Sequence, residues 1–491
     1  MTQWPVSSGY DPANSQVGIV HIGPGAFHRA HQAVFTDDAL AQFGGDWRIL
    51  GVSLRSATTA QKLNAQNGLY TLVVRPDKLA MPSEYRVIGS VTLILAPDVG
   101  VASVLTAMAR PETRIVSLTI TEKAYCVNAA KGSLDIHDPQ IAADLANSKA
   151  PTGAIGLITR ALQMRYEAGH APFSVMSCDN LPDNGRMTRT GVLAFAQHVD
   201  PMLASWIREN VSFPSTMVDR ITPATTQALC DEVYRETGRL DRIPVETEPF
   251  SQWVVEDNFC NGRPAWGDVG ALLVKDVRPY EQMKLRMLNG AHSMLAYAGF
   301  LAGHRYVRDV LADAALSRLV ARHINAAGAT LDPLDGVNFK EYAQTLLLRF
   351  SNPNIAHETY QIAMDGSQKM PQRIFEPALV ALDRGTDVDP FAFAIACWIQ
   401  YLSGAHKSGE SYEIRDPRGS ELSRACEAGG QETNSVVSEI FALPDLVPLG
   451  LVESISFQLL VCKHLDVMRS SGMNAAITKM LTENTARRNW S

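Results

Sequence analysis

A lysine, an asparagine and a histidine follow one another at fixed spacing in the segment 281–292: Lys284, Asn289 and His292. At about 100° per residue in an α-helix, Asn289 lies about 140° and His292 about 80° around from Lys284, so the three can project into one sector. A lysine whose pKa is lowered by burial can take a hydroxyl proton, and amides can donate to a developing alkoxide. A helix cap or a satisfied core hydrogen-bond set has the same residues, so both interpretations stay open.

A second polar cluster, Ser177-Cys178-Asp179-Asn180, follows a predicted buried strand. Ligands of open α/β sheets bind at the carboxyl ends of the strands. Asn180 is therefore expected near a bound nicotinamide, where Lys284 from a second domain could meet it across a cleft. A turn in which Asp179 and Asn180 bond their own backbone is the alternative.

Two glycines follow the predicted strand Val17–Ile22. Gly23 permits a tight turn, and Gly25 lets the backbone approach a pyrophosphate, which would lie at the start of the following helix. His28 replaces the third glycine of the usual dinucleotide pattern. The pattern favours a dinucleotide-binding loop over a structural turn. His28 and His31 are either neighbours of the cofactor or polar residues of the first helical turn, and alone they favour the second interpretation.

The acid that usually binds the ribose 2′-hydroxyl about 20 residues after the glycines is missing. The second predicted strand is followed instead by Arg55, Ser56 and Thr58. An arginine beside hydroxyl groups can accommodate a 2′-phosphate, so the choice between NAD and NADP stays open.

Short β-branched runs alternate with helical stretches over about residues 17–180, which predicts a wound, mostly parallel α/β sheet. Beyond about Pro279 the apolar residues recur at three and four, which predicts a mainly helical domain. We therefore expect a Rossmann-like dinucleotide-binding domain over residues 1–277 and an α-helical substrate and catalytic domain over 278–491. The candidate strands are Val17–Ile22, Ile49–Leu54, Leu69–Arg75, Ile115–Ile120 and Phe173–Cys178. The candidate helices are Glu281–Gly303, Val307–Ala327, Phe339–Phe350, Pro377–Arg384, Phe391–Leu402 and Val452–Arg469.

The composition excludes several classes of protein. The 491 residues are 46% hydrophobic and 19% charged, which is typical of a globular chain and not of a disordered one. The net charge of −7 argues against nucleic acid or an anionic membrane as a partner. Seven single cysteines favour a reducing cytoplasm, and no secretory signal is expected at the N-terminus. Ligand spacings for a catalytic zinc are missing, so no metal is expected.

These motifs together resemble the polyol-specific long-chain dehydrogenases, the mannitol dehydrogenase family. The resemblance covers nearly the whole chain and is closest to the fructuronate reductase branch. It rests on the glycine segment 18–31, on the Lys284, Asn289 and His292 signature, and on the runs 119–123, 177–180 and 217–220. A histidine in place of the third glycine is normal in that family.

The resemblance implies a role for each matching residue. Lys284 would be the general base, and Asn180 with Asn289 the oxyanion hole. His292 and Asp219 would position substrate and lysine, while Glu122 and Glu281 match carboxylates thought to relay protons. The implied cofactor, NAD with NADP not excluded, would contact Gly23, Gly25, Ala26, Phe27, His28, Arg55 and Glu122.

The segment 351–373 bears on the substrate. Mannitol dehydrogenases have a sugar-binding arginine where this chain has Gln361, whereas the substrate-contacting Lys369 is kept. The run continues to Arg373, and it is more similar to fructuronate reductases. A sugar acid needs a cation for its carboxylate, and Lys369 and Arg373 are candidates, although Arg373 could be a surface residue.

We therefore expect an NAD(P)-dependent oxidoreductase acting on a linear sugar acid, D-mannonate/D-fructuronate, with a polyol 2-dehydrogenase as the alternative. A redox-sensing regulator would have no reason to keep the lysine and asparagine set. A hydroxy-acid or sugar-phosphate dehydrogenase of similar architecture is a further alternative. Sugar phosphates would need an additional basic cluster, and none is evident in the sequence. The expected partner is a small molecule, and the chain is expected to be a monomer or a small homo-oligomer.

Overall fold

The computed structural model describes residues 10–11, 14–77, 81–128, 133–334, 336–355, 357–405 and 409–488. The chain divides into two compact units. The N-terminal unit is Met1–Pro76 with Ala80–Arg278, and the C-terminal unit is Asp77–Leu79 with Pro279–Ser491. All described strands belong to the N-terminal unit, and the C-terminal unit is helical.

The strands are short and are distributed over several sheets. They are β1 (Val17–Ile22), β2 (Arg48–Val52), β3 (Tyr70–Val74), β4 (Glu84–Ile88), β5 (Val91–Leu95), β6 (Ile115–Leu118), β7 (Val127–Asn128), β8 (Ser133–Leu134), β9 (Ser174–Ser177), β10 (Thr216–Asp219), β11 (Val245–Thr247), β12 (Gln252–Glu256) and β13 (Leu272–Val274).

Five strands form a parallel sheet in the order β5-β2-β1-β6-β9. The first strand is central and the chain winds outward from it in both directions, which is the doubly wound arrangement. Every residue of β6 and β9 is buried, as expected for parallel strands covered on both faces. Along β1, Val20 and Ile22 enter one hydrophobic cluster and Ile19 enters the other, because successive side chains point to opposite faces. The predicted Rossmann-like sheet is confirmed.

One predicted strand belongs to a different sheet. The run Leu69–Arg75 contains β3, which pairs antiparallel with β4 and parallel with β11. Its expected place in the parallel sheet is taken by β5, a strand that the sequence analysis did not identify. An apolar run predicts a buried strand, but its partners depend on distant residues, here Val245–Thr247.

Helices cover the parallel sheet and connect its strands. Several begin at a short polar side chain that accepts backbone N–H bonds, as Asp138, Asp200 and Thr226 do. The helices of this unit are α1 (Ala26–Ala30), α2 (Gln32–Phe43), α3 (Thr58–Asn64), α4 (Val101–Ala109), α5 (Pro139–Ala146), α6 (Ala154–Ala168), α7 (Asn184–Val199), α8 (Pro201–Asn210) and α9 (Gln227–Thr237).

The C-terminal unit is built from helices, and two short stretches of it are π-helical, Lys284–Gly290 and Pro371–Phe375. The α-helices that follow in the chain are α10 (Arg278–Met283), α11 (Ala291–Leu301), α12 (Val307–Ala312), α13 (Ala314–Gly328), α14 (Phe339–Phe350), α15 (Thr359–Ala363), α16 (Gly366–Met370), α17 (Glu376–Asp383), α18 (Asp389–Tyr401), α19 (Gly419–Gly429), α20 (Thr433–Phe441), α21 (Leu449–Val452), α22 (Ile455–Ser471) and α23 (Met473–Arg488).

The predicted helical domain is confirmed, with one division that the sequence analysis missed. The expected helix Val307–Ala327 consists of α12 and α13, which are separated at Asp313. The Asp313 carboxylate accepts from Ala315 N at 2.8 Å and Leu316 N at 3.0 Å. Asp313 therefore caps the start of α13, directly after the last residue of α12. Apolar periodicity continues through such a junction, and only the aspartate marks it.

Helix α18 is the most deeply buried long helix of this unit. All its residues except Asp389 and Gln400 are buried, which agrees with an apolar sequence on every face of the helix. No helix in the described part of the chain is long and apolar enough to cross a membrane.

Candidate active site

The glycine loop connects β1 to α1 by a turn that only glycine adopts without strain. Gly23 has φ of 92°, and a Cβ there would collide with the carbonyl oxygen of Thr119. The loop is held by Gly23 N donating to Val52 O at 2.9 Å and by Thr119 Oγ1 donating to Gly23 O at 2.6 Å. At Gly25 the space for a Cβ is nearly open, with the nearest atom 3.9 Å away. The backbone is therefore accessible to a ligand there, as a dinucleotide requires.

The histidine in place of the third glycine packs beneath this loop. His28 is fully buried, and its ring lies flat on that of His21, with centroids 3.5 Å apart and planes 14° apart. The His21 ring bonds the hydroxyl oxygens of Ser117 at 2.8 Å and Thr119 at 2.9 Å. Burial lowers the pKa of His21 to about 3, and burial with the charge of His21 lowers the pKa of His28 far below its usual range. The pair is neutral at pH 7 and fastens α1 to the sheet.

The other predicted cofactor residues lie around the ends of β1, β2 and β6. Ala26 and Phe27 are the first residues of α1, a helix that is interrupted at His31. Arg55 is exposed after β2. Glu122 is exposed at the start of a short 3-10 turn. Arg55 and Glu122 both face solvent. Their contacts with a cofactor stay predictions.

Asp179 has a structural role that leaves Asn180 beside it at the surface. Its carboxylate accepts from the backbone N–H groups of Ile120 at 2.9 Å and Thr121 at 3.0 Å, and from Tyr125 Oη at 2.7 Å. These bonds join the carboxyl ends of β6 and β9. Asn180 is exposed at that edge, which is where the sequence placed it.

Sequence reasoning missed two features of this edge. Thr121 has φ of 69°, an outlier for a β-branched residue, and such strain concentrates at functional sites. The buried amide of Asn184 donates to Asp179 O at 2.9 Å and Thr216 O at 2.8 Å. It thereby ties the loop of Asn180 to β10, the strand that ends at the buried Asp219. An asparagine shortly after a strand is too common a signal to have identified it.

Lys284 and Asn289 lie on a π-helix instead of the expected α-helix. Hydrogen bonds in a π-helix join residues five apart, and its wider turn brings residues at that spacing much closer in angle than the 140° of an α-helix. The separation of Lys284 and Asn289 is 289 − 284 = 5 residues, which places them on one face of the segment. Lys284 is 7% exposed, and Asn289 is partly buried. Lys284 and Asn289 thus share a face through a π-helical backbone, which a 3.6-residue period does not predict.

The second π-helical stretch contains Arg373 and packs against the first. A Cβ on Gly290, the last residue of the first stretch, would lie 2.8 Å from the carbonyl oxygen of Arg373. Arg373 Nη1 donates to Ser293 Oγ at 3.2 Å, and Ser293 directly follows His292 in the chain. Burial lowers the pKa of Arg373 to about 10. Arg373 is therefore partly buried and hydrogen-bonded within the unit, and it is not the exposed surface residue that one interpretation of the sequence had.

Gly290→Ala tests whether this close approach positions the site. Overpacking at such a contact costs about 1–3 kcal/mol, offset by about 1 kcal/mol of helix propensity. We expect a small change in thermal midpoint but about a tenfold or larger loss of kcat/KM, because small displacements of reacting groups are costly. In the control Gly328→Ala the new Cβ meets its nearest atom at 3.5 Å, so kinetics should be unchanged. Equal kinetics in both variants would show that the contact does not position the site.

His292 lies in an aromatic and basic environment. Its ring stacks on Phe350 with centroids 4.9 Å apart and meets the ring of His357 edge-on at 5.0 Å. Burial lowers the pKa of His292 well below its usual range, and the charges of His357, Arg373, Arg349 and Lys369 act in the same direction. His292 is therefore neutral at pH 7.

The remaining residues predicted for substrate binding or proton relay differ in exposure. Lys369 is half-buried in α16, where Nζ donates to Met364 O at 2.6 Å and lies 3.8 Å from the Asp365 carboxylate. Gln361 is exposed in α15. Glu281 is partly buried in α10.

The residues predicted for the site belong to both units. The C-terminal unit holds Lys284, Asn289, His292, Gln361, Lys369 and Arg373, and the N-terminal unit holds Asn180, Asp219, Glu122 and the glycine loop. Within the described residues, no three His, Cys, Asp or Glu side chains are grouped so that they could hold a metal ion.

The strand order and the glycine loop define a Rossmann-type α/β protein with a helical second part. Comparison with known proteins gives its family. A model of the mannitol dehydrogenase Rossmann domain matches residues 17–268, and one of the mannitol dehydrogenase C-terminal domain matches residues 276–458. The chain belongs to the mannitol dehydrogenase family, and like its relatives it is an oxidoreductase of the kind that acts on CH–OH groups.

Relatives of known name cover nearly the same length. D-mannonate oxidoreductase of Escherichia coli (strain K12) is 45% identical over 83% of this chain and 84% of its own. The structure of Pseudomonas fluorescens mannitol 2-dehydrogenase, a ternary complex with NAD and D-mannitol, has a TM-score of 0.80 at 38% identity over 97% of this chain and 96% of that one. A substrate-free D-sorbitol dehydrogenase has a TM-score of 0.89 at 34% identity, covering 96% of each chain. The resemblance inferred from the motifs is confirmed.

Proposed function

We propose that this chain is an NAD-dependent oxidoreductase that interconverts a secondary alcohol and a ketone on a linear sugar acid, of the D-mannonate/D-fructuronate type. The observation that carries the proposal is the set of basic groups beside His292: the His357 ring lies 5.0 Å from it, and Arg373 bonds the neighbouring Ser293 at 3.2 Å. In addition to burial, the charges of Arg373 and Lys369 lower the pKa of His292. Two cations in this position, Lys369 and Arg373, suit a carboxylate better than a neutral polyol. The 45% identity with D-mannonate oxidoreductase supports the same choice.

NAD fits the residues of the N-terminal unit. Gly23 has the positive φ of a tight turn, the backbone at Gly25 is open, and the loop follows the central strand of a doubly wound sheet. When bound, NAD would accept or supply the hydride. The absence of an acid after β2 leaves NADP as a second cofactor to test.

The polar residues divide the rest of the chemistry among them. Lys284 takes the hydroxyl proton as general base, and the amides of Asn180 and Asn289 donate to the alkoxide oxygen. His292 and Asp219 orient substrate and lysine, and Glu122 with Glu281 carries the proton to solvent. Lys369 and Arg373 bind the carboxylate. No metal ion is assigned a role in this scheme.

A polyol 2-dehydrogenase is the second candidate. It is favoured by the 38% identity with mannitol 2-dehydrogenase, which was solved with D-mannitol. Gln361 stands where the resemblance places a sugar-binding arginine in mannitol dehydrogenases, and this substitution favours the sugar acid. Cytoplasmic location and oligomeric state stay predictions of the sequence.

The substrate is tested by initial rates with NADH and with NADPH against D-fructuronate, D-tagaturonate, D-fructose and D-xylulose. We expect NADH with D-fructuronate to give the highest kcat/KM, with the neutral ketoses at least about tenfold lower, because they leave the basic groups unpaired. Reaction of only fructose and xylulose would contradict the sugar-acid assignment and favour the polyol enzyme.

A further inference from the structure

His357 is a residue that the motifs did not identify, and the backbone fixes its position. It lies between α14 and α15, where its carbonyl oxygen accepts from Val307 N at 3.0 Å. The next residue, Glu358, forms an antiparallel bridge with Tyr306. Backbone hydrogen bonds therefore hold the segment that carries the His357 imidazole.

The imidazole ring of His357 contacts the ring of His292. The two ring centroids are 5.0 Å apart at 82°, and Phe350 stacks on His292 with its planes at 22°. His357 is partly buried. Among the described residues, neither of its ring nitrogens has a protein hydrogen-bond partner. Neither nitrogen is among the side-chain atoms that are shielded from solvent without a partner. A bound molecule can therefore reach the imidazole and replace water as the acceptor of its N–H group.

The charges around His357 define what that acceptor would be. Burial, and then the charge of Lys369, lower the pKa of His357. Burial, and then the charge of Arg373, lower the pKa of Lys369, while the charges of Asp365 and Asp416 raise it. Of the two acids, Asp365 is 3.8 Å from Lys369 Nζ, and Asp416 accepts from Ser367 Oγ at 2.5 Å. Neither acid is among the groups whose charges act on His292 or His357, whereas Lys369, Arg373 and Arg349 act on His292 and Lys369 acts on His357. The two rings therefore face cations, which attract an anionic group.

We infer that His357 is a specificity-determining residue that donates its ring N–H to the carboxylate of a linear sugar acid, beside Lys369 and Arg373. The inference rests on the proposed function. A neutral donor adds a hydrogen bond without a further charge in a region that already holds two cations. The site would then select a substrate by the position of its carboxylate as well as by its negative charge. A neutral ketose would gain much less from it.

Two variants separate the ring contact from the hydrogen bond. His357→Phe keeps an aromatic ring against His292 but has no N–H, and His357→Asn keeps a donor without the ring. We expect His357→Phe to lower kcat/KM for D-fructuronate about 10- to 100-fold, mainly through KM, and to change kcat/KM for D-fructose less than about threefold. His357→Asn should recover part of the loss. The Kd for NADH should be unchanged in both.

His304→Ala is the matched control, because His304 is a partly buried histidine of the same unit that lies 3.9 Å from the Asp313 carboxylate. It should leave the fructuronate-to-fructose ratio unchanged. Equal losses on both substrates in His357→Phe, or no loss on either, would overturn the inference and leave the proposed function intact. A wild-type protein that turns over fructose but no sugar acid would contradict the proposed function itself, and with it the carboxylate assigned to His357.

Discussion

Lys284→Ala is expected to lower turnover by about two to four orders of magnitude, the usual contribution of a general base. The side chain is 7% exposed and lies on the same face of a π-helical stretch as Asn289. Removing its amine leaves the substrate hydroxyl without a proton acceptor, whereas the glycine loop is untouched. We therefore expect the Kd for NADH to stay within about twofold of the wild-type value, measured by fluorescence titration alongside steady-state rates.

Chemical rescue distinguishes a lost base from a damaged fold. Added ethylamine should restore part of the activity of Lys284→Ala in a concentration-dependent way, because a small amine can occupy the vacated space and take the proton. Lys340→Ala, which removes an exposed lysine of α14, should behave as wild type with or without amine. Near-normal turnover of Lys284→Ala without amine would refute the assignment.

Gly23→Ala is expected to weaken NADH binding by at least about tenfold and to destabilise the protein by about 1–3 kcal/mol. The residue has φ of 92°, and the added Cβ would collide with the Thr119 carbonyl at the end of β6. The loop must move away from the sheet, and the backbone at Gly25 moves with it. Calorimetric titration with NADH and a thermal melt measure the two effects.

Gly44→Ala controls for the backbone conformation alone. Gly44 has φ of 64°, but nothing lies within 4 Å of a Cβ built there. This variant should show the strain of a left-handed alanine without the collision, so its melting temperature falls slightly and its Kd for NADH does not change. If Gly23→Ala binds NADH as tightly as Gly44→Ala does, the loop is not the dinucleotide site.

The sequence predicted the strands of the parallel sheet well where a buried apolar run is bounded by polar residues. The strands β1, β6 and β9 lie within their predicted runs. It failed at Leu69–Arg75, because the partners of β3 are set by a strand that follows it by more than a hundred residues. The local sequence pattern indicates that a strand is buried, but it does not indicate which other strand it pairs with.

The candidate site shows the same limit. The types and spacing of Lys284, Asn289 and His292 were enough to single out the segment, but the angle between them was calculated for an α-helix. The π-helical stretch forms where Gly290 permits the backbone of Arg373 to approach, a tertiary contact that no single segment encodes. For the same reason His357 carried no signal in the sequence: its proximity to His292 is created by the packing of α14 and α15 around α11.

The metal-free, lysine-dependent reaction is tested most directly by measuring NADH consumption and D-mannonate formation together, with D-fructuronate as substrate. The measurement compares wild type with Lys284→Ala, with a metal chelator present throughout. We expect the wild-type protein to form one D-mannonate per NADH oxidised, at a rate that the chelator does not change, and the variant to form almost none. Loss of wild-type activity in the chelator, or equal rates in the two proteins, would contradict a metal-free reaction that depends on Lys284.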